Sequence, residues 1–292
     1  MSDTALAALF AVFIWWFSTG IVLLLNGMQR RAYKFSLFTS SALTVAALVA
    51  LNHTANQTTA AATYCAFTCA LLIWGWHELS FLTGWITGPR TTALPPAFAQ
   101  GHEGRRFIES VRAILWHELG ILAVGVLIIA MTWGAPNQVG TWTFIVLWSM
   151  RTSAKLNLFL GVRNLSEEFL PPHLAYLSSF FRRRAMNLLF PFVVSAASAV
   201  LAWMVMRALE PTADATTVLG LTLVGTMLAL AILEHWMLVL PVPTTALWRW
   251  AMAKRQPAPE SEPRPAPSTP AHAHPATGGI PPDKNEQLLH AR

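Results

Sequence analysis

The sequence predicts an all-α, polytopic membrane protein of about seven transmembrane helices, and three observations carry that prediction. Of the 292 residues 54% are hydrophobic and only 12% are charged, against a charged fraction of roughly 25% in soluble domains. The apolar residues gather into seven runs at roughly 5–26, 36–53, 59–85, 106–133, 140–161, 186–207 and 216–240, each close to the ~20 residues that cross a bilayer. Finally, Lys and Arg recur in alternate connections, as they do when one set of loops stays cytoplasmic.

Taken in order, the first run begins near Ala5 and continues to Leu25 without a basic segment before it. No cleavable signal peptide is expected there; the run is long enough to remain as the first helix. The connection at 27–35 carries Arg30, Arg31 and Lys34, that at 86–105 carries Arg90 and Arg105, and that at 162–185 carries Arg163 and Arg182 to Arg184. By contrast 54–58 and 134–139 hold no Lys or Arg, and 208–215 holds Glu210 and Asp214 as its charges. This alternation predicts an outside N-terminus and a cytoplasmic C-terminus. The formal net charge of +6 is therefore topological, and no nucleic-acid partner is expected.

Aromatic residues fall where interfaces are expected: Trp133 and Trp142 flank the turn at 134–137, and Trp248 and Trp250 follow the seventh run. Pro241 and Pro243 end that run, and Thr244 to Trp250 is expected along the cytoplasmic interface. Residues 1–250 form the transmembrane domain. The Pro/Ala-rich remainder, 251–292, has too few apolar residues to bury a core and is expected to be a disordered cytoplasmic tail. Its His272-x-His274 could pick up metal weakly, but chance occurrence in a biased segment is the expected account. Cys65 and Cys69, four apart on one helix, suit small buried side chains better than a disulfide. In the connection 162–185, Ser166-Glu167-Glu168 predicts a helix cap, and the run Leu174 to Phe181 is apolar enough to lie on the membrane surface or against another protein.

The residues that bear chemistry are a tetrapeptide found twice, Trp76-His77-Glu78-Leu79 and Trp116-His117-Glu118-Leu119, with a mirrored echo at Glu234-His235-Trp236. Ionisable residues at such depth are costly unless they face a partner, a cavity or a metal. The topology places all three pairs in the cytoplasmic half at similar depth, where the fifth run adds Arg151 and Lys155 on one face at i,i+4, with Asn157 nearby. Adjacent His and Glu project about 100° apart on a helix, and neither the i,i+3 Glu-His motif of two-metal bundles nor the His-Glu-x-x-His zinc motif is present.

Three readings of this polar layer stay open. A metal centre would take His77, His117 and His235 as nitrogen ligands and Glu78, Glu118 and Glu234 as oxygen ligands, a donor set suited to iron, zinc or manganese, with Arg151, Lys155 and Asn157 orienting ligands or substrate. A haem or other tetrapyrrole site would use a neutral imidazole as axial ligand against Trp and Phe walls. A buried network would pair the three carboxylates with Arg151, Lys155 and the imidazoles and serve packing alone. Three acids against two bases leave one acceptor that needs a metal, a proton or a charged imidazole. Phosphate-cradling glycine loops, Gly-x-Ser-x-Gly and Cys-x-x-Cys are absent from the sequence.

The Trp-His-Glu-Leu pair, the stretch from Arg151 to Leu174 and the stretch from Phe180 to Pro191 together resemble the PuhE family, assigned to photosynthetic complex assembly in purple phototrophic bacteria. The resemblance covers about residues 1–250. It implies a multi-pass protein of the bacterial inner (cytoplasmic or intracytoplasmic) membrane, associated with the reaction-centre H-subunit gene region and affecting the build-up of reaction centre and light-harvesting complex and bacteriochlorophyll supply. The partners implied are membrane lipids and reaction-centre, light-harvesting or bacteriochlorophyll-handling components. The cofactors carried forward are iron or zinc, and bacteriochlorophyll or another tetrapyrrole. On this expectation the chain is a membrane assembly factor, with a metal-dependent oxidoreductase acting on a pigment or lipid and a non-catalytic scaffold or tetrapyrrole-binding chaperone as alternatives.

Overall fold

The computed structural model describes residues 3–28, 30–98, 102–242 and 244–252. The tail expectation, including His272 and His274, lies outside them. Among the described residues seven long helices follow the predicted runs: α1 (Asp3–Asn26), α2 (Arg30–Thr54), α3 (Ala60–Leu82), α4 (Glu103–Thr132), α5 (Val139–Leu160), α6 (Leu189–Ala208) and α7 (Ala215–Val239). The largest departure is α2, which begins six residues before the apolar run, so that Arg30, Arg31 and Lys34 belong to the helix start instead of a loop.

Six of these helices are long and apolar enough to cross a membrane. The exception is α5, whose Arg151, Lys155 and Asn157 lower its apolarity, and it is packed among α3, α4, α6 and α7. α3 is the other central element, with Phe67, Ile73, His77 and Leu79 all buried. Small residues let these two approach: a Cβ on Gly140 would sit 2.3 Å from Leu51 Cδ1 and 3.0 Å from the Ala66 carbonyl oxygen. Trp133 and Trp142 are both largely exposed at the ends of α4 and α5, as interfacial residues should be.

Caps fix two of the helix starts. Thr59 Oγ1 accepts from the Ala62 N–H at 3.2 Å before α3. Asp214 accepts from the N–H groups of Thr216 and Thr217 at 3.0 and 2.9 Å before α7. The hydroxyl of Thr216 first, then that of Thr217, holds the Asp214 carboxyl well below the usual carboxylate range.

The connection between α5 and α6 departs from expectation. Ser166 caps nothing through its side chain and instead adopts a left-handed conformation, φ 53°. Two 3₁₀ turns follow, Glu167–Phe169 and Pro172–Phe180. Leu174, Leu177 and Phe180 are buried against Phe81, Leu82, Leu94 and Ala113, so this run folds over the end of the bundle. In the segment expected along the interface, Leu247 and Trp250 are exposed but Trp248 turns inward: it is buried beside Leu23, and its Nε1–H donates to the Trp16 carbonyl at 3.0 Å. An indole with a satisfied N–H can leave the interface.

One buried cation holds the α5–α6 connection down. Arg106 on α4, only 2% exposed, donates through Nη2 to the carbonyls of Phe159 at 2.6 Å and Phe180 at 2.7 Å. Its guanidinium lies over the Phe159 ring, 4.0 Å from the centroid. Asn164 and Asn187 finish the work: Asn164 N–H donates to the Leu238 carbonyl at 2.9 Å, and Asn187 Nδ2 donates to the Gly161 carbonyl at 2.9 Å. Replacing Arg106 by Leu should strand the two carbonyls and lower stability by about 3 kcal/mol, with Arg106→Lys intermediate. Denaturant unfolding in mixed micelles measures this, and an unchanged midpoint for Arg106→Leu would remove the anchor role.

Candidate functional site: a charged cavity and a separate imidazole pair

The ion pairs of α5 organise the site. Arg151 Nη2 donates to Glu78 Oε2 on α3 at 3.2 Å, and Lys155 Nζ donates to Glu118 Oε1 on α4 at 2.5 Å. The third carboxylate, Glu234 on α7, accepts from Trp15 Nε1 on α1 at 2.8 Å. Each acid of the three sequence pairs therefore ties two different helices, and buried ionisable groups need such partners. Glu78 Oε1 has no hydrogen-bond partner among the described residues.

Glu78, Arg151, Lys155 and Glu234 line one cavity of about 410 Å³, within the roughly 300–1,000 Å³ of ligand pockets. Trp15, Trp74 and Phe81 supply aromatic wall from the helices, and Phe169, Phe180 and Trp248 come from the segments folded over the end. The apolar run between α5 and α6 is thus part of the cavity wall. Gly75 also lines it, and a Cβ added there meets no atom within 4 Å.

The imidazoles are placed elsewhere. His77 and His117 face each other between α3 and α4, with ring centroids 6.4 Å apart and planes at 74°. Phe81 lies 4.6 Å from the His117 ring and Phe144 lies 6.3 Å from that of His77. His235 turns to α5, where Nε2 pairs with Ser153 Oγ at 2.9 Å and Nδ1 with the Ala231 carbonyl at 2.8 Å. None of the three histidines lines the cavity. The 100° step between adjacent helical residues explains the divergence: once each Glu points to its helix partner, its neighbouring His must look away.

The six residues expected around one metal are therefore divided among three places. No group of three or more His, Cys, Asp or Glu side chains among the described residues is arranged to hold a metal ion. His235 has both ring nitrogens engaged. Asn157, expected to orient a ligand, is buried with its amide nitrogen on the Ser153 carbonyl at 3.0 Å and its oxygen accepting from Asn187 at 2.9 Å. Cys65 and Cys69 remain free thiols, Sγ to Sγ 3.9 Å.

Sequence reasoning missed Ser153, Arg106 and the segment at 87–90. The Thr87 carbonyl accepts from the His117 backbone N–H at 2.9 Å, and a Cβ on Gly88 would sit 2.1 Å from the Arg112 carbonyl oxygen. This close approach sets the part of α4 that carries His117, and Gly88 between two apolar runs was its one local sign.

Fold and site define a helical membrane protein built around a cavity with aromatic walls and a charged layer. Residues 1–259 match the family described as Protein of unknown function (DUF3623), and the chain belongs to that family. It is 40% identical over 258 residues, 85% of this chain and 90% of the other, to an "Uncharacterized 30.4 kDa protein in puhA 5'region" of Rhodobacter capsulatus. No solved structure matches the chain.

Removing one member of the half-buried Lys155–Glu118 pair should cost more than removing both. Lys155→Met should lower stability by about 3 kcal/mol, and Glu118→Leu combined with Lys155→Met should recover most of that loss. Micelle unfolding of the two single variants and the double closes the cycle. Additive losses would show that the pair contributes nothing by pairing.

Proposed function

We propose that this chain is an integral factor of the bacterial inner membrane that assists assembly of the photosynthetic reaction centre and light-harvesting complex, and that its cavity handles bacteriochlorophyll on the way to them. The observation that carries the reading is the cavity itself. Its aromatic and aliphatic walls suit the apolar body of a tetrapyrrole or its hydrocarbon tail, and the donors of Arg151 and Lys155 suit the polar substituents. The gene region named for the Rhodobacter capsulatus relative supports the photosynthetic setting, as does the resemblance to the PuhE family.

The fit has a specific limit. With no histidine in its lining, the cavity offers no imidazole as axial ligand, so the pigment would be held by shape and by the charged layer. Glu78–Arg151 and Glu118–Lys155 would then do two jobs, tying helices and marking the polar end of the site. The same ion pairs support a second reading as a scaffold with no pigment of its own.

Gly75→Leu separates the two. Its side chain would enter the cavity without displacing any neighbour of the added Cβ. Protein purified from pigmented membranes should carry bacteriochlorophyll absorbance, and Gly75→Leu should abolish it while retaining helicity and gel-filtration behaviour. Wild-type protein that purifies without pigment and leaves the spectrum of added bacteriochlorophyll unchanged would leave only the scaffold.

In this proposal the N-terminus is outside, the C-terminus is cytoplasmic, and the cavity's folded-over end faces the cytoplasm. Alkaline phosphatase fused after Ala213 should be active, and a fluorescent protein fused after Arg292 should fluoresce. The reverse pattern would invert the orientation.

A further inference from the structure

The geometry points to His77 and His117 as a two-imidazole site for one copper(I) ion, separate from the cavity. His77 Nε2 and both ring nitrogens of His117 are buried with no hydrogen-bond partner among the described residues, on side chains that are 2% and 1% exposed. A neutral imidazole always presents one N–H and one lone pair, and buried polar atoms are ordinarily matched. His235 shows that this bundle matches an imidazole where it can, using Ser153 and the Ala231 carbonyl. Two unmatched imidazoles on neighbouring helices, placed ring to ring, suit an ion that accepts one nitrogen lone pair from each ring.

Distance agrees with a shared ion. Two metal–nitrogen bonds of about 2 Å, plus roughly 1.1 Å from each nitrogen to its ring centroid, span about 6.2 Å in a linear arrangement; the rings are 6.4 Å apart. The number of ligands selects the metal. Structural zinc is four-coordinate, and no group of three or more candidate ligand side chains occurs among the described residues. Copper(I), a closed-shell ion that binds imidazole, is stable with two ligands in line.

The surroundings agree as well. Phe81, Phe144 and Trp76 lie against the two rings, an apolar setting that favours a soft ion of low charge over a hydrated divalent one. Glu78, Glu118 and Glu234 exceed Arg151 and Lys155 by one negative charge, and a monovalent cation on neutral imidazoles brings the layer to neutrality. This inference does not depend on pigment in the cavity.

The test is Cu(I) titration of the detergent-purified full chain against a chromophoric Cu(I) chelator, followed by copper K-edge absorption spectroscopy. The expected result is about one copper per chain, with the edge feature of two-coordinate Cu(I) and two nitrogen neighbours at about 2 Å. His77→Ala and His117→Ala should each weaken binding at least about tenfold, and His235→Ala should leave it unchanged. Helical circular dichroism and gel filtration check the fold of each variant; if both His variants fail them, the wild-type coordination spectrum decides. No competition with the chelator, a four-coordinate spectrum, stoichiometric zinc or iron in its place, or copper retained in the folded His variants would each overturn the assignment.

Discussion

The placement of Arg151 and Lys155 on α5, inside a bundle of apolar helices, is the constraint from which the rest of the bundle follows. Two cations one helical turn apart cannot be left unpaired in an apolar interior, and the acids within reach are Glu78 on α3 and Glu118 on α4. Meeting both draws α5 between those helices. It also fixes the rotation of α3 and α4 about their own axes, because each Glu must face α5. The histidine that precedes each Glu is then turned aside by a fixed angle, and the two histidines meet each other.

A second consequence is a cavity instead of a filled core. The charged layer needs room for carboxylate and guanidinium groups, while the helices around it are built from Leu, Met, Phe and Trp. α1 and α7 close the far side through Trp15 and Glu234. The end is covered by the segment that Arg106 holds through the carbonyls of Phe159 and Phe180 and by Trp248. Polar anchors fasten these coverings, so that their own backbone groups are satisfied within the bundle.

The combination bears on function because it separates two kinds of chemistry within one membrane bundle. On one side is a cavity with charged groups and aromatic walls, suited to an amphipathic guest. On the other is a buried pair of imidazoles that does not line that cavity. The repeated Trp-His-Glu-Leu motif serves both: its Glu builds the charged layer and its His supplies the nitrogen pair. Trp76 fastens α3 to α2 through Ser41 Oγ at 2.8 Å, and Trp116 is exposed on the outer surface of α4.

By itself the sequence determined the helical membrane class, seven helices to within a few residues at most ends, and the identity of the ionisable residues placed inside them. These are properties of local composition: apolar runs near the crossing length, Pro and Gly breaks, and the rarity of charge. The i,i+4 spacing put Arg151 and Lys155 on one face of α5, and pairing them with the carboxylates was one of three readings the sequence left open. The sequence could not say which way each helix is rotated, since apolar residues surround the motifs on all sides and give no face to orient. Tertiary structure decided that question: pairing across helices, not local pattern, sent Glu78 and Glu234 to a cavity, Glu118 to Lys155, and the imidazoles away from the cavity. It also decided that the apolar connection between α5 and α6 turns inward, because one arginine on a distant helix offers its carbonyls the donors that water cannot supply there.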